Sequence, residues 1–197
     1  MQTKTILICL FIFKSLIGSG QTQTLNYDLS VAGNSIGMLT AVKTVSKNTI
    51  TYTANSLATV HLFGETQIST SLTVVSMDGI LQSSHYKIEK NGTLNDESTT
   101  ILKNGVYYIN HNGKTSQINT PIKFSTTMLY FDEPKKVSSV FAELEGINKD
   151  FVNLGSSTYQ LTDPSNHHTN SYTYENGILK EALISHTLFN FKLSLKK

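Results

Sequence analysis

The side chains best equipped for chemistry fall into two groups. His167 and His168 stand together in a polar stretch that also holds Asp163 and Asn166. On a loop, two imidazoles can turn toward one metal ion and a carboxylate can add an oxygen ligand. On a strand they cannot converge, because neighbouring side chains point to opposite faces. No second ligand group accompanies them, and polar loops often hold solvated histidines, so no metal is expected. The second group is acidic: Asp132-Glu133, followed by Glu143 and Glu145. Paired carboxylates divide acid and base roles when their environments separate their pKa values. The plainer reading has Asp132 capping a helix that Pro134 helps to start, with the glutamates facing water. Hydrolysis through Asp132, Glu133 or Glu143 therefore ranks last among the activities considered.

Nucleophilic catalysis finds little support. No Gly-x-Ser-x-Gly elbow occurs, and the sole cysteine, Cys9, lies in an N-terminal apolar run. Phosphate-cradling and dinucleotide-binding glycine patterns are absent too. The reading leans toward a non-enzyme: no catalytic residue and no cofactor is expected. Asn91-Gly92-Thr93 matches a glycosylation acceptor, but a tight turn explains it as well. All 16 basic residues are lysine, and the chain has no tryptophan. Without the planar forks of arginine, nucleic-acid binding is not expected.

Aromatic residues are more suggestive. Tyr107, Tyr108, Tyr130, Phe131, Tyr172 and Tyr174 supply amphipathic surface. On the concave side of a curved sheet they can line an apolar groove, with Asp132 and Glu133 at its mouth. The alternative is that the core of the sheet consumes them.

The elements that must position these residues are strands. Leu25, Tyr27, Leu29 and Val31 alternate strictly, Gly33-Asn34 turns the chain, and Ile36, Met38 and Thr40 continue on the return. A turn falls near Ser46-Lys47-Asn48. Asp78-Gly79, Asn91-Gly92, Asn104-Gly105, Asn112-Gly113 and Asn176-Gly177 follow. Such dipeptides supply the positive φ that tight hairpin turns require. Successive hairpins place neighbouring strands antiparallel. Between Ser125 and Gly146 the rhythm changes, and Val137, Val140, Phe141 and Leu144 recur at helical spacing. One or two short helical turns are expected there, capping an open end of the sheet. Phe189, Phe191, Leu193 and Leu195 then form an amphipathic tail strand, which can lie at an edge guarded by Lys192, Lys196 and Lys197. The expected fold class is all-β: a curved antiparallel meander of about ten strands, either half-barrel or barrel.

The first twenty residues read as a secretory signal. Lys4 precedes the apolar run Ile6 to Phe13, and Gly18 and Gly20 stand at −3 and −1 of a cut before Gln21. The run is shorter than the roughly 20 residues a membrane span needs, so the mature chain is expected to carry no transmembrane segment. Cleavage would reduce the basic residues from 16 to 14, equal to the 14 acids. Residues 21–197 then form a single β domain without thiols, in a periplasm or outside the cell.

Tyr27-Asp28-Leu29-Ser30-Val31-Ala32-Gly33-Asn34-Ser35-Ile36-Gly37 resembles the start of an uncharacterised family of exported bacterial proteins, common in Bacteroidetes-like bacteria. Leu129-Tyr130-Phe131-Asp132-Glu133-Pro134 and Tyr172-Thr173-Tyr174-Glu175-Asn176-Gly177 fit the same resemblance. It implies a curved sheet similar to the half-barrels of periplasmic lipoprotein carriers, and it brings no catalytic residues. The leading expectation is an exported binding domain for an apolar small molecule or lipid. The alternative is a scaffold that pairs with an envelope protein through its tail strand or an exposed edge.

Overall fold

The computed structural model describes residues 20–61, 64–185 and 190–196. Residues 1–19 of the expected leader, Phe189 of the expected tail strand and Lys197 lie outside the described residues. The first eight strands are β1 (Gln21–Val31), β2 (Asn34–Ser46), β3 (Thr49–His61), β4 (Glu65–Met77), β5 (Ile80–Lys90), β6 (Thr93–Lys103), β7 (Val106–His111) and β8 (Lys114–Ile118). A 3-10 turn at Thr126–Tyr130 interrupts the meander. The chain resumes with β9 (Ser139–Ala142), β10 (Ile147–Gly155), β11 (Thr158–Thr162), β12 (Thr169–Glu175), β13 (Ile178–Ile184) and β14 (Phe191–Leu195). No helix among these residues is long and apolar enough to cross a membrane.

Local sequence explains the hairpins. In all five Asn-Gly or Asp-Gly dipeptides both residues have positive φ, as at Asn112 (50°) and Gly113 (82°). The first turn is centred on Ala32-Gly33, one residue earlier than the sequence pattern suggests. Ala32 accepts φ 48° there, and the register of β1 and β2 shifts at Leu29/Ser30 to accommodate it. Gly37 lies beside that irregularity, where a Cβ would come 2.0 Å from the Leu57 carbonyl oxygen of β3.

All fourteen strands join one antiparallel sheet in the order β8-β7-β6-β5-β4-β3-β2-β1-β14-β13-β12-β11-β10-β9. Fourteen strands form where about ten were expected. The tail strand is no edge. β14 lies at the middle of the sheet, paired with β1 on one side and β13 on the other, and Lys192 bonds Glu181 rather than guarding a margin.

The two sheet edges, β8 and β9, are joined by residues 119–138. Twist accumulated over so many strands curls the sheet, and the ends approach without pairing. Gly146, in the turn after β9, faces Ile109 of β7 so closely that a Cβ would stand 2.4 Å from Ile109 Cγ2. The connecting segment, called the strap below, runs through the concavity. Its one helical turn falls on 126–130, ahead of the helical stripe in the sequence. Val140 and Phe141 of that stripe are strand residues of β9, and Pro134 starts no helix.

Alternate residues of the strands face inward: Tyr27 and Leu29; Leu39 and Ala41; Tyr52 and Ala54; Leu72 and Val74; Tyr107 and Ile109. Ile122, Met128, Leu129 and Phe131 of the strap pack on them and complete the core. Replacing Gly37 by Ala is expected to lower stability by about 1–3 kcal/mol in urea unfolding, because strand backbone cannot yield to the new methyl. Gly113→Ala, with nothing within 4 Å of the added carbon, carries only the backbone strain of about 1 kcal/mol.

Candidate functional site

The strap and the wall it lies against bring together seven of the eight residues singled out from the sequence for a groove, all but Tyr108. Tyr130 stacks at a tilt on Tyr27 with centroids 5.5 Å apart, and Phe131 meets Tyr52 at 5.8 Å. Across the concavity, Phe151 stacks on Tyr159 at 5.5 Å, and Tyr159 meets Tyr174 edge-on at 5.5 Å. Tyr172 joins this second cluster through Phe151. Tyr107 holds the far end of the strap, its hydroxyl accepting the Ile122 N–H at 3.1 Å. Phe131, Tyr172, Tyr174 and Tyr107 are all buried. Tyr108, its neighbour on β7, points to the convex face.

Phenols grip the strap by its carbonyls. Tyr174 Oη donates to Leu129 O at 2.9 Å. Tyr27 Oη donates to Leu179 O at 3.0 Å and stands 3.4 Å from Tyr130 O. Burial pushes both phenols well above their ordinary pKa. It raises Tyr52 to about 12, with the Asp132 charge adding to the effect. These hydroxyls are therefore proton donors at any physiological pH.

The acids divide by environment. Asp132 does not cap a helix; Lys43 reaches it across the concavity at 2.9 Å. Glu133 accepts the Tyr159 hydroxyl at 2.9 Å, and Lys135 stands 3.4 Å away. Burial alone would raise the Glu133 pKa, but bonds from Tyr159, Ser157 and Lys135 hold it below the usual range. Tyr159 is raised to about 12, by burial first and then by that same bond. Glu143, expected to face water, is only 1 % exposed. It accepts the Thr127 N–H at 3.0 Å and the hydroxyls of Thr126 and Thr127, so it caps the start of the 3-10 turn from another strand's end. Four hydroxyls in the interior, those of Ser84, Ser98, Thr100 and Ser125, have no protein partner among the described residues.

Lys43, Tyr52 and Tyr159 were not singled out from the sequence, Tyr27 was read only as a strand residue, and Glu143 only as a solvent-facing or hydrolytic acid. Lys43 did carry a signal: it continues the inward row of Leu39 and Ala41, and a cation on an apolar face needs an anion opposite. Glu143 carried none, since its donors lie sixteen and seventeen residues away in a segment without periodicity.

The histidine loop is organised by Asp163. Its carboxylate bonds Lys149 at 2.7 Å and the Ser165 N–H at 2.8 Å, and its backbone closes the turn with His167 and His168. Both imidazoles are exposed. No cluster of three or more His, Cys, Asp or Glu suited to a metal occurs among the described residues. Burial opposes the Asp163 charge, but the bonds from Lys149 and Ser165 hold its pKa well below 3.8. Lys149 is held above its ordinary value by Asp163 and Glu145, against the opposing effect of burial.

The fold defines the class: an open, curved, β-barrel-like antiparallel sheet. Within it, the chain belongs to the family described as a domain of unknown function, DUF6134, whose model matches residues 27–196. Three solved chains match the structure. One is a crystal structure of a β-barrel-like protein of a domain of unknown function, DUF1849, from Brucella abortus. It superposes with a TM-score of 0.62 over 88% of this chain and 95% of that one, at 12% identity, a likeness of fold alone. No curated protein matches the chain.

Asp163→Asn is expected to lower stability at pH 7 by about 2 kcal/mol, the scale of a hydrogen bond to a charged group. The folded carboxylate titrates below its unfolded value of 3.8, so the wild-type advantage is complete above that pH. Unfolding measured from pH 7 to pH 2 should show it shrinking as the pH falls through the window beneath 3.8.

Proposed function

We propose that this domain is an exported, non-enzymatic binding protein for an amphipathic ligand that carries a carbonyl group, held in the concavity where the strap now lies. One observation carries the reading: Tyr174 offers its hydroxyl from the wall to the Leu129 carbonyl oxygen of a guest that is the protein's own chain, with the Tyr130 carbonyl 3.4 Å from the Tyr27 hydroxyl beside it. An ester or amide of a lipid presents the same acceptor flanked by the same apolar surface. Ala41 and Ala54 keep the wall beneath the strap shallow. The binding form is one in which the strap lifts and the ligand takes its place. Asp132 and Glu133 mark the mouth, and Lys43 is the latch. Support for export comes from the apolar run and small residues before Gln21.

Lys43→Met removes the latch and raises the population of the open form, so it should tighten apparent affinity several-fold. The test is displacement of a fluorescent fatty-acid ester from the full-length protein, wild type beside Lys43→Met, with native mass spectrometry of protein purified gently from its own envelope. Tighter binding by the variant supports the reading. An unchanged melting temperature across a broad lipid panel for both proteins would count decisively against it.

A scaffold role is the second reading, favoured by the sheet edges. The strap covers β9, where the Phe141 N–H donates to Phe124 O at 3.0 Å, but among the described residues no strand pairs with the outer side of β8. Sedimentation of the protein alone and in envelope extract tests it; a monomer in both removes the idea.

A further inference from the structure

We infer that the convex face of β6, β7 and β8 is a second binding site, shaped for a neutral oligosaccharide. This site is separate from the concavity and does not rest on the ligand proposed there.

Strand register builds it. Ile101, Tyr108 and Gln117 form one rung across the three strands, and Thr99, Asn110 and Thr115 form the next. A shallow depression of ≈ 630 Å³ lies over both rungs, and a smaller one of ≈ 170 Å³ continues from Thr99 and Asn110 to Gly113. Tyr108 is 46% exposed and Ile101 43%, side by side, so the first rung presents an aromatic and aliphatic platform to solvent. Neighbouring strands repeat at about 4.8 Å, a spacing comparable with one pyranose residue.

The hydrogen-bonding groups beside that platform are free. Elsewhere on the outer surface, polar side chains bond one another: Ser69 with Glu89, Ser35 with Asp28, Thr40 with Asn26. Thr99, Thr115 and Gln117 make no side-chain bond to protein among the described residues. The Asn110 carbonyl is engaged by the Gly113 N–H at 2.8 Å, and that bond aims the Asn110 amide nitrogen outward as a donor. Hydroxyls and amides both donate and accept, which is the complement of a sugar's hydroxyl rim. The Tyr108 ring is the complement of its C–H face.

Charge excludes polyanions. Glu97, the one acid lining the hollows, bonds His85 at 2.7 Å and adds a carboxylate that repels anions. No lysine lines either hollow, and Lys103 stands one rung outside. A phosphate or sulfate would find no cation there.

The test is titration of the full-length protein with maltohexaose, mannohexaose and chitohexaose, followed by protein NMR shifts, with dextran sulfate as the anionic comparison. At least one neutral hexasaccharide should bind with a Kd of about 0.1–5 mM, the range expected of a shallow site with one aromatic platform. Tyr108→Ala should weaken binding about tenfold or more, whereas Tyr108→Phe, which keeps the ring face, should stay within roughly threefold. Each variant's melting temperature guards against a folding defect, and Gln117→Ala provides a second readout that disturbs no buried group. The inference is overturned by no binding of any neutral hexasaccharide up to about 10 mM. Binding that survives Tyr108→Ala, preference for dextran sulfate, or self-association through this face would overturn it equally.

Discussion

The pairing of β1 with β14 is the constraint from which the rest of the structure follows. It places both ends of the fold at the centre of a fourteen-stranded sheet, so the chain winds outward to one edge and must then restart at the other. The connection between those edges cannot pass through the sheet, and it crosses the concave side. Curling brings the edges near enough for residues 119–138 to span the gap, and it creates the hollow that the segment fills. Core, strap and interior polar groups are consequences of one topological choice.

That choice explains why the interior mixes apolar packing with specific polar bonds. A connecting segment with a single 3-10 turn leaves backbone carbonyls and N–H groups without helical or sheet partners, and burying them unpaired is costly. The wall answers with tyrosines, whose rings fill the apolar space and whose hydroxyls reach the strap backbone. Tyr27, Tyr107 and Tyr174 do this at three points along its length. Lys43 and Glu143 secure its side chains and its first turn. A segment held by directional bonds at discrete points, rather than by secondary structure, has a defined position.

The convex side follows different physics. There the pleat sets side chains in a lattice of rungs, and most polar groups satisfy their neighbours across strands. The region over β6 to β8 departs from that habit, with free hydroxyl and amide groups surrounding an exposed tyrosine. Inner and outer faces thus offer chemistry of different kinds: phenols and apolar rings within, hydroxyls and amides without.

By itself the sequence determined the strand rhythm and the hairpins. Period-two alternation and Asn-Gly or Asp-Gly turns act over a few residues, and Asp78, Asn91, Asn104, Asn112 and Asn176 all adopt the conformation their type favours. Antiparallel all-β architecture follows from those local rules. The tertiary structure alone decided which strands meet across the longest separations. The alternation of Leu193 and Leu195 is the same for an edge strand as for a central one, so nothing local reveals the partnership with Leu29 and Tyr27. It decided too that Tyr107, Phe131, Tyr172 and Tyr174 turn inward upon the strap, and that Glu143 is buried by threonines rather than bathed in water. Those outcomes depend on where a non-periodic segment lies after the sheet has curled. Side-chain type fixes what a residue can bond; only the closing of long loops fixes what it meets.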